Sequence, residues 1–572
     1  MKISRKIILF FCVFAFASFL IFFRLTRADF QTDGAFYSMW SVGYLDYLFS
    51  DNQTTPIQWF LIIPWWARLS FHAHPPLVFL IQHIFFQFFG DSDFIALLPF
   101  ALAGMGSLML LYSIAKKLYN ENLAILSVFI LGISTFFTWA QRINYLEGMA
   151  TFFILLAAFF IIQSRKRGYS MASGIAMGLS FLTKYTSFFL VPFSFLFLFW
   201  QDKKLLAIKK FFIFLALASI IFSPVIFYNI MLLITRGHPD VQFSQVFPSM
   251  FDAAQKDWPK LFTERQGLNP LRNFFNIRGA LGAGYSVIFF ITIIISSIYL
   301  IVRLSMGEKK HIPLALILFS LILEFLFIPL NERYAAIWSP FLALTAAVFI
   351  YEAYQMVSQS KMPFLLYGYG AIVGIIFATE IFFNINTNHF NSPIGRKGVF
   401  YSSLRVENLG FKNLEKFLVS QWKYDGIYMP GIKQINSLHD IVFTDKSIRN
   451  DDIYLFESGI NWFAYTWYLQ RQQLYHGIVI TSDVDLFRSL DPKVDAFQYL
   501  QQNGVKRLFY IMGIRDEVLD ASFVRNKDYR SLSEYLYNKI KKAQSQGAPI
   551  TSKKIYNDNG DAVFEIYKIQ LN

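Results

Sequence analysis

Five short stretches of this 572-residue chain hold the residue types from which group-transfer chemistry is built. Asp33 stands in FQTDGAFY, with Tyr37 four residues on. His74 stands in HAHPPL. Arg142 and Glu147 share QRINYLEG, Lys184 sits in GLSFLTKYTSFFLVP, and Arg333 in NERY. A carboxylate can deprotonate or orient an attacking hydroxyl. Guanidinium and ammonium groups bind phosphate through charge-assisted hydrogen bonds, and a neutralised phosphate leaves with little acid help. Aromatic rings supply walls for a sugar. The set suits sugar transfer from a lipid-linked phosphate, whose tail stays in the bilayer and whose head sits at the interface. Plainer readings exist for each residue. Asp33 can be a solvated loop acid with Asp29 and Asp46 as rivals, and Glu147 a helix-start acid favoured by the dipole. Arg142 can snorkel to headgroups, and Lys184 and Arg333 can be ordinary turn residues.

Composition demands a membrane for these stretches to meet. The chain is 55% hydrophobic with 67 Phe, and its mean hydropathy is +0.41. Only 16% of residues are charged. A soluble globular protein rarely has this balance. The net charge of +14 does not imply nucleic acid. Much of the excess lies in short clusters between apolar runs, which is how membrane topology is written. Cys12 is the one cysteine, so neither an intramolecular disulfide nor a cysteine-based metal site is available.

Eleven runs read as spans: 7–23, 97–115, 122–140, 147–163, 171–183, 186–200, 211–234, 280–302, 312–330, 334–356 and 363–383. The basic clusters at MKISRK, Lys116–Lys117, Arg165–Arg167, Lys203–Lys210 and Arg303–Lys310 all fall on one side if 75–89 lies at the interface and 169–200 crosses twice. The positive-inside rule makes that side cytoplasmic. The N-terminus is then inside, as an uncleaved first helix, and the tail outside. The first outer loop is 24–96. All five chemistry-bearing stretches fall on the outer side. No internal repeat of the transporter kind is visible.

From about Asn384 the pattern changes. Short β-rich runs (IVF 441–443, DIYLF 452–456, GIVITS 477–482, KRLFYIM 506–512, AVFEIYK 562–568) alternate with helical stretches such as Asp491–Gly504. Residues 384–572 therefore read as a soluble α/β domain outside the membrane, following a transmembrane domain over 1–383. GxGxxG, GxxxxGKS and HExxH motifs are absent from it. His72, His74 and His83 lack the spacing of a zinc site, so no metal or other cofactor is assigned, although a divalent ion shared by His74 and Asp33 stays open. Asn52-Gln53-Thr54 matches a glycosylation sequon, a triplet common by chance.

The order FQTDGAFY, HPPL, RINYLEGMATFF, GLSFLTKYTSFFLVP resembles the membrane-embedded GT-C glycosyltransferases, in the superfamily of protein O-mannosyltransferases and aminoarabinose (lipid A) transferases. The likeness is good over residues 5–200, looser through Arg333–Tyr334 and weak in the tail. It implies a polyprenyl-phosphate-linked sugar donor, a lipid, glycan or protein hydroxyl acceptor, and inversion at the anomeric carbon. It implies that Asp33 is the catalytic carboxylate and that Tyr37 matches the aromatic after it. Gly34 stands where the family usually has Glu. Glu147 replaces an Asp and is one methylene longer. His74 matches the HPPL form, whereas aminoarabinose transferases carry Lys there. Lys184 matches the lysine of the LTK hairpin. The expectation is a multi-pass α-helical GT-C protein of the cell (inner, cytoplasmic) membrane with an extracytoplasmic, periplasmic tail. Two rivals are a polar-lipid transporter or flippase and a non-catalytic envelope-assembly scaffold. A transporter needs ionisable groups buried mid-span, and Glu324 stands nearly alone in that respect.

Overall fold

The protein is described by a computed structural model over residues 5–50, 60, 62–69, 74–166, 168–246, 250, 253–257, 270–328, 330–360, 362–426, 452–478, 480–488, 495–502, 504–520 and 527–571. His72, the 52–54 triplet and the IVF run at 441–443 lie outside the described residues. The chain divides into two compact units: Met1–Leu25 with Phe71–Ile81 and Asp93–Arg405, and Thr26–Ser70 with Gln82–Ser92 and Val406–Asn572.

The first unit is helical. Each of the eleven apolar runs forms a helix: Arg5–Phe22, Asp93–Leu118, Glu121–Ile133 continued by Thr135–Gln141, Leu146–Ile162, Tyr169–Phe181, Leu190–Gln201, Lys204–Arg236, Val287–Ser305, Ile312–Phe327, Ser339–Ser358 and Pro363–Asn388. Among the described residues seven helices are long and apolar enough to cross a membrane, eight if the bent pair is one span. The run at 75–89 is the 13-residue helix Leu77–Phe89. At 1.5 Å per residue it reaches about 20 Å, short of a hydrocarbon core about 30 Å thick.

Side chains at the breaks explain why long apolar runs stop where they do. The run at 122–140 bends by 67° at Ser134. There the Glu380 carboxylate accepts from Thr135 N at 2.9 Å, and Asn384 Nδ2 donates to Ile133 O at 2.9 Å. The other Glu380 oxygen accepts from Ser286 N at 2.9 Å, at the start of Val287–Ser305. One buried carboxylate thus serves backbone donors at two helix starts, groups that otherwise have no intrahelical partner. Helix Tyr169–Phe181 meets Lys204–Arg236 through Gly174 and Gly178. A Cβ on Gly174 would come within 3.1 Å of Phe214 backbone, and one on Gly178 within 3.0 Å of Ala218 backbone. Small residues four apart let two helices approach this closely.

The second unit is built on a five-stranded sheet in the order β2-β1-β3-β5-β4. Its strands are β1 Asp452–Phe456, β2 Ile480–Ser482, β3 Arg507–Gly513, β4 Ile550–Tyr556 and β5 Ala562–Gln570. β1 runs parallel to β2 and β3, and β5 is antiparallel to β3 and β4. Ile453, Leu455, Leu508, Tyr510, Leu536, Ile540 and Tyr567 form its core. The loop segment 26–50 packs into this unit. Asp29 Oδ2 accepts from Leu409 N at 2.8 Å and Phe411 N at 3.0 Å. It thereby caps helix Phe411–Tyr424, whose own N-cap position is Gly410. Phe30 N donates to Tyr468 Oη and Tyr475 Oη donates to Met39 O, both at 3.0 Å.

Candidate active site

Four segments of the first unit gather the polar side chains. The turn between helices Tyr169–Phe181 and Leu190–Gln201 carries Lys184, which has extended backbone before the short 3-10 turn Tyr185–Ser187. The first turn of Leu146–Ile162 carries Glu147. The 3-10 turn Glu332–Trp338 carries Arg333 and Tyr334. His74 precedes the Pro75-Pro76 pair, and Leu77 N donates to Leu182 O at 3.0 Å, tying that strap to the Lys184 turn. The turn is anchored again at its far side, where Phe189 N donates to Glu324 Oε2 at 2.9 Å.

Two cations meet on one carboxylate. Lys184 Nζ is hydrogen-bonded to Glu147 Oε1, and Arg333 Nε lies 3.7 Å from the same oxygen. Lys184 and Glu147 are both buried. Burial removes water's screening, so an ion pair here must be matched closely to offset desolvation. Aromatic faces complete the walls: Lys184 Nζ is 4.2 Å from the Tyr334 ring centre, and the Arg333 guanidinium carbon is 5.3 Å from Tyr145 and 5.2 Å from Tyr334. Such contacts hold cations against faces that also suit a sugar ring. His74 is buried close by. Burial, then the positive charges of Lys184 and Arg333, holds its pKa well below the ordinary histidine value. A neutral imidazole beside two cations is a hydrogen-bonding group, and cationic surroundings do not fit a divalent ion at that ring.

Arg142 is not part of this group. Its Nη1 donates to Ile21 O and Phe23 O at 2.7 Å, and its Nη2 to Arg24 O at 2.6 Å. The guanidinium closes the C-terminal end of helix Arg5–Phe22, where carbonyls lack intrahelical partners. These bonds give Arg142 a structural employment at that helix end. Asp33 and Tyr37 belong to the second unit. Asp33 opens helix Asp33–Val42 half-buried, and Tyr37 is buried one turn on. Asp29, a rival for the base, is taken up by its capping bonds.

The group of His, Asp or Glu side chains with metal-ligand proximity, among the described residues, is Glu308, His311 and Glu352. It sits at the helix ends that carry Arg303 and Lys310, whereas Glu147, Lys184 and Arg333 sit at the opposite ends of their helices. Lys310 Nζ is 2.6 Å and Arg303 Nε 3.3 Å from Glu352. These cations already balance the two carboxylates.

Residues 73–228 match the family model described as dolichyl-phosphate-mannose-protein mannosyltransferase. ArnT from Cupriavidus metallidurans bound to undecaprenyl phosphate superposes with a TM-score of 0.50 at 11% identity, covering 98% of this chain and 97% of that one. The chain therefore has the fold of that membrane protein, and its segment 73–228 is similar to the mannosyltransferase family. Two relatives from Bacillus subtilis (strain 168) are named as mannosyltransferases. YkcB is 28% identical over 125 residues, 21% of this chain, and YycA is 29% identical over 139 residues, 24% of it. The matched region spans 18% and 20% of those relatives' lengths. The family segment takes in His74, Glu147 and Lys184 but neither Asp33 nor Arg333.

Tyr145 completes the walls of the site and was not singled out in the sequence. Its position two residues before Glu147 in INYLEG was the available signal. The buried carboxylate Glu380 was also missed. Its signal was the four-residue spacing of Glu380, Asn384 and Asn388 in an otherwise apolar run.

Proposed function

We propose that the protein is a glycosyltransferase that takes a sugar from a polyprenyl-phosphate donor and passes it to a hydroxyl acceptor at the outer membrane face. The observation that carries this reading is the meeting of Lys184 and Arg333 on the buried Glu147, between Tyr145 and Tyr334. Lys184 and Arg333 bind the donor phosphate and stabilise the charge that grows on it as the glycosidic bond breaks. Glu147 orients the two cations. His74, neutral, contacts the donor as a hydrogen-bonding group, and Tyr37 contributes an aromatic contact. Asp33 removes or orients the acceptor hydroxyl proton, and the sugar transfers with inversion. Arg142 serves the scaffold. In this reading the N-terminus is cytoplasmic, the tail lies outside the cytoplasmic (inner) membrane, and the acceptor is a lipid, glycan or protein. Chemistry outside the cytoplasm requires a lipid-linked donor, because nucleotide sugars are held inside.

The test uses purified full-length protein in detergent or nanodiscs with radiolabelled polyprenyl-phosphate mannose and a membrane-extract acceptor mixture. D33N is expected to lower transfer by about 100-fold or more, the usual scale of general-base loss. A transporter or scaffold predicts no enzymatic transfer by wild type at all, and a change under threefold in D33N removes Asp33 as the base.

A further inference from the structure

The loop after helix Lys204–Arg236 contains a buried acid that none of the roles above uses. Asp240 is 0% exposed. Its Oδ2 accepts from Tyr185 Oη at 2.5 Å and from Asn229 Nδ2 at 3.3 Å. Its Oδ1 accepts from Phe243 N at 3.1 Å, and its own N–H donates to Asn229 Oδ1 at 2.8 Å. The neighbouring side chains Arg236 and His238 both bond to Asp257. Asp240 is therefore held by neutral donors, and burial pushes its carboxyl up to about 7. An acid kept at that cost without a cation needs a structural or functional reason.

Its partner supplies one. Tyr185 directly follows Lys184, so its backbone sets where the lysine side chain starts. The Tyr185 ring stacks on Phe188 at 5.9 Å and 14°, and lies 4.7 Å from the Phe243 ring. The ring also meets Phe222 edge-on at 6.1 Å and 88°, so apolar packing holds the ring and a directional tie can come from the hydroxyl. The Asp240 bond supplies that tie, while Leu77 N and Glu324 hold the turn at its two ends.

We propose that Asp240 is a positioning residue for the donor site, acting through the Tyr185 hydroxyl to keep Lys184 on Glu147 and aimed at the donor phosphate. This rests on the assignment of Lys184 to the phosphate. Two variants break the same bond from opposite sides: D240A, and Y185F, which keeps the ring stack. Because both remove one interaction, their effects should not add.

The probe is undecaprenyl phosphate, titrated into purified full-length protein, with K184M as the control. Expected results are a Kd raised about tenfold in D240A, in Y185F and in the double variant alike, which is about 1.4 kcal/mol of shared coupling. D240N keeps an acceptor oxygen and adds an amide donor, so it should stay within about threefold of wild type. A purely structural role predicts instead that Y185F binds normally, or that D240A and Y185F add. Either result overturns the proposal, as does equal weakening by D240N and D240A. If K184M weakens binding and Y185F does not, the positioning role alone falls. If K184M leaves binding unchanged, the phosphate site is misassigned and the positioning role falls with it.

Discussion

At the scale of single residues, similar side chains in one neighbourhood have different employment. Arg142 and Arg333 both follow apolar runs, yet Arg142 spends its donors on carbonyls ending helix Arg5–Phe22, while Arg333 joins Lys184 at Glu147. R142A should therefore lower the thermal midpoint of the purified protein, with a loss of about 2–4 kcal/mol from abandoned carbonyls, and leave donor affinity within about threefold. A donor-binding defect without destabilisation would return Arg142 to the site. His74 gives a pH prediction with a definite sign. Its folded pKa lies well below the ordinary histidine value, so the unfolded chain takes up the proton first. The stability it contributes is complete above about pH 6.5 and drains as pH falls below it, by up to about 1.4 kcal/mol per unit. Subtracting the H74Q profile of thermal midpoint against pH from the wild-type profile should isolate that acid-side slope, and a flat difference from pH 6.5 to 5 would contradict it. Residue type and order in HPPL, RINYLEG and LTK made His74, Glu147 and Lys184 legible. The employment of Arg142 was not, because its carbonyl partners are over a hundred residues away and a carbonyl has no sequence signature.

At the scale of elements, composition was enough to find helices and too coarse to find their breaks. Every apolar run forms helix, since a run of Phe, Leu and Ile with few breakers has no other way to satisfy its backbone in lipid. The bend at Ser134 and the gap before Val287 depend on Glu380 from a distant helix. Such breaks come from tertiary capping that a local window does not contain. Strand β4, ITSKKIY, was also missed: its four central residues are exposed, and Lys553 and Lys554 interrupt any apolar pattern, as suits an edge strand. Gly174 and Gly178 let helix Tyr169–Phe181 approach Lys204–Arg236 closely. G178V would push a side chain into Ala218 backbone, where neither helix can yield without separating. It should destabilise by more than about 2 kcal/mol and lower the yield of monodisperse protein in detergent; tolerance at wild-type midpoint would show that the helices are less tightly packed than this.

At the scale of the molecule, the two compact units do not follow one cut in the sequence. The segment 26–50, with Asp33, is organised by residues from 406 onward: Asp29 caps the helix starting at Phe411, and Tyr468 and Tyr475 bond to the backbone at Phe30 and Met39. The alternation of β-rich and helical runs made the tail's α/β class readable. Its hold on the first loop was not, for the bonds are long-range and mostly to main chain. The proposed phosphate site draws Glu147, Lys184 and Arg333 from three separated stretches at the first unit's own helix ends. The most direct measurement is a cryo-EM structure of the full-length protein in nanodiscs with undecaprenyl phosphate. The phosphate is expected within hydrogen-bonding reach of both Lys184 Nζ and the Arg333 guanidinium. A phosphate bound at the opposite helix ends, beside Arg303 and Lys310, with Lys184 still closed on Glu147, would contradict it.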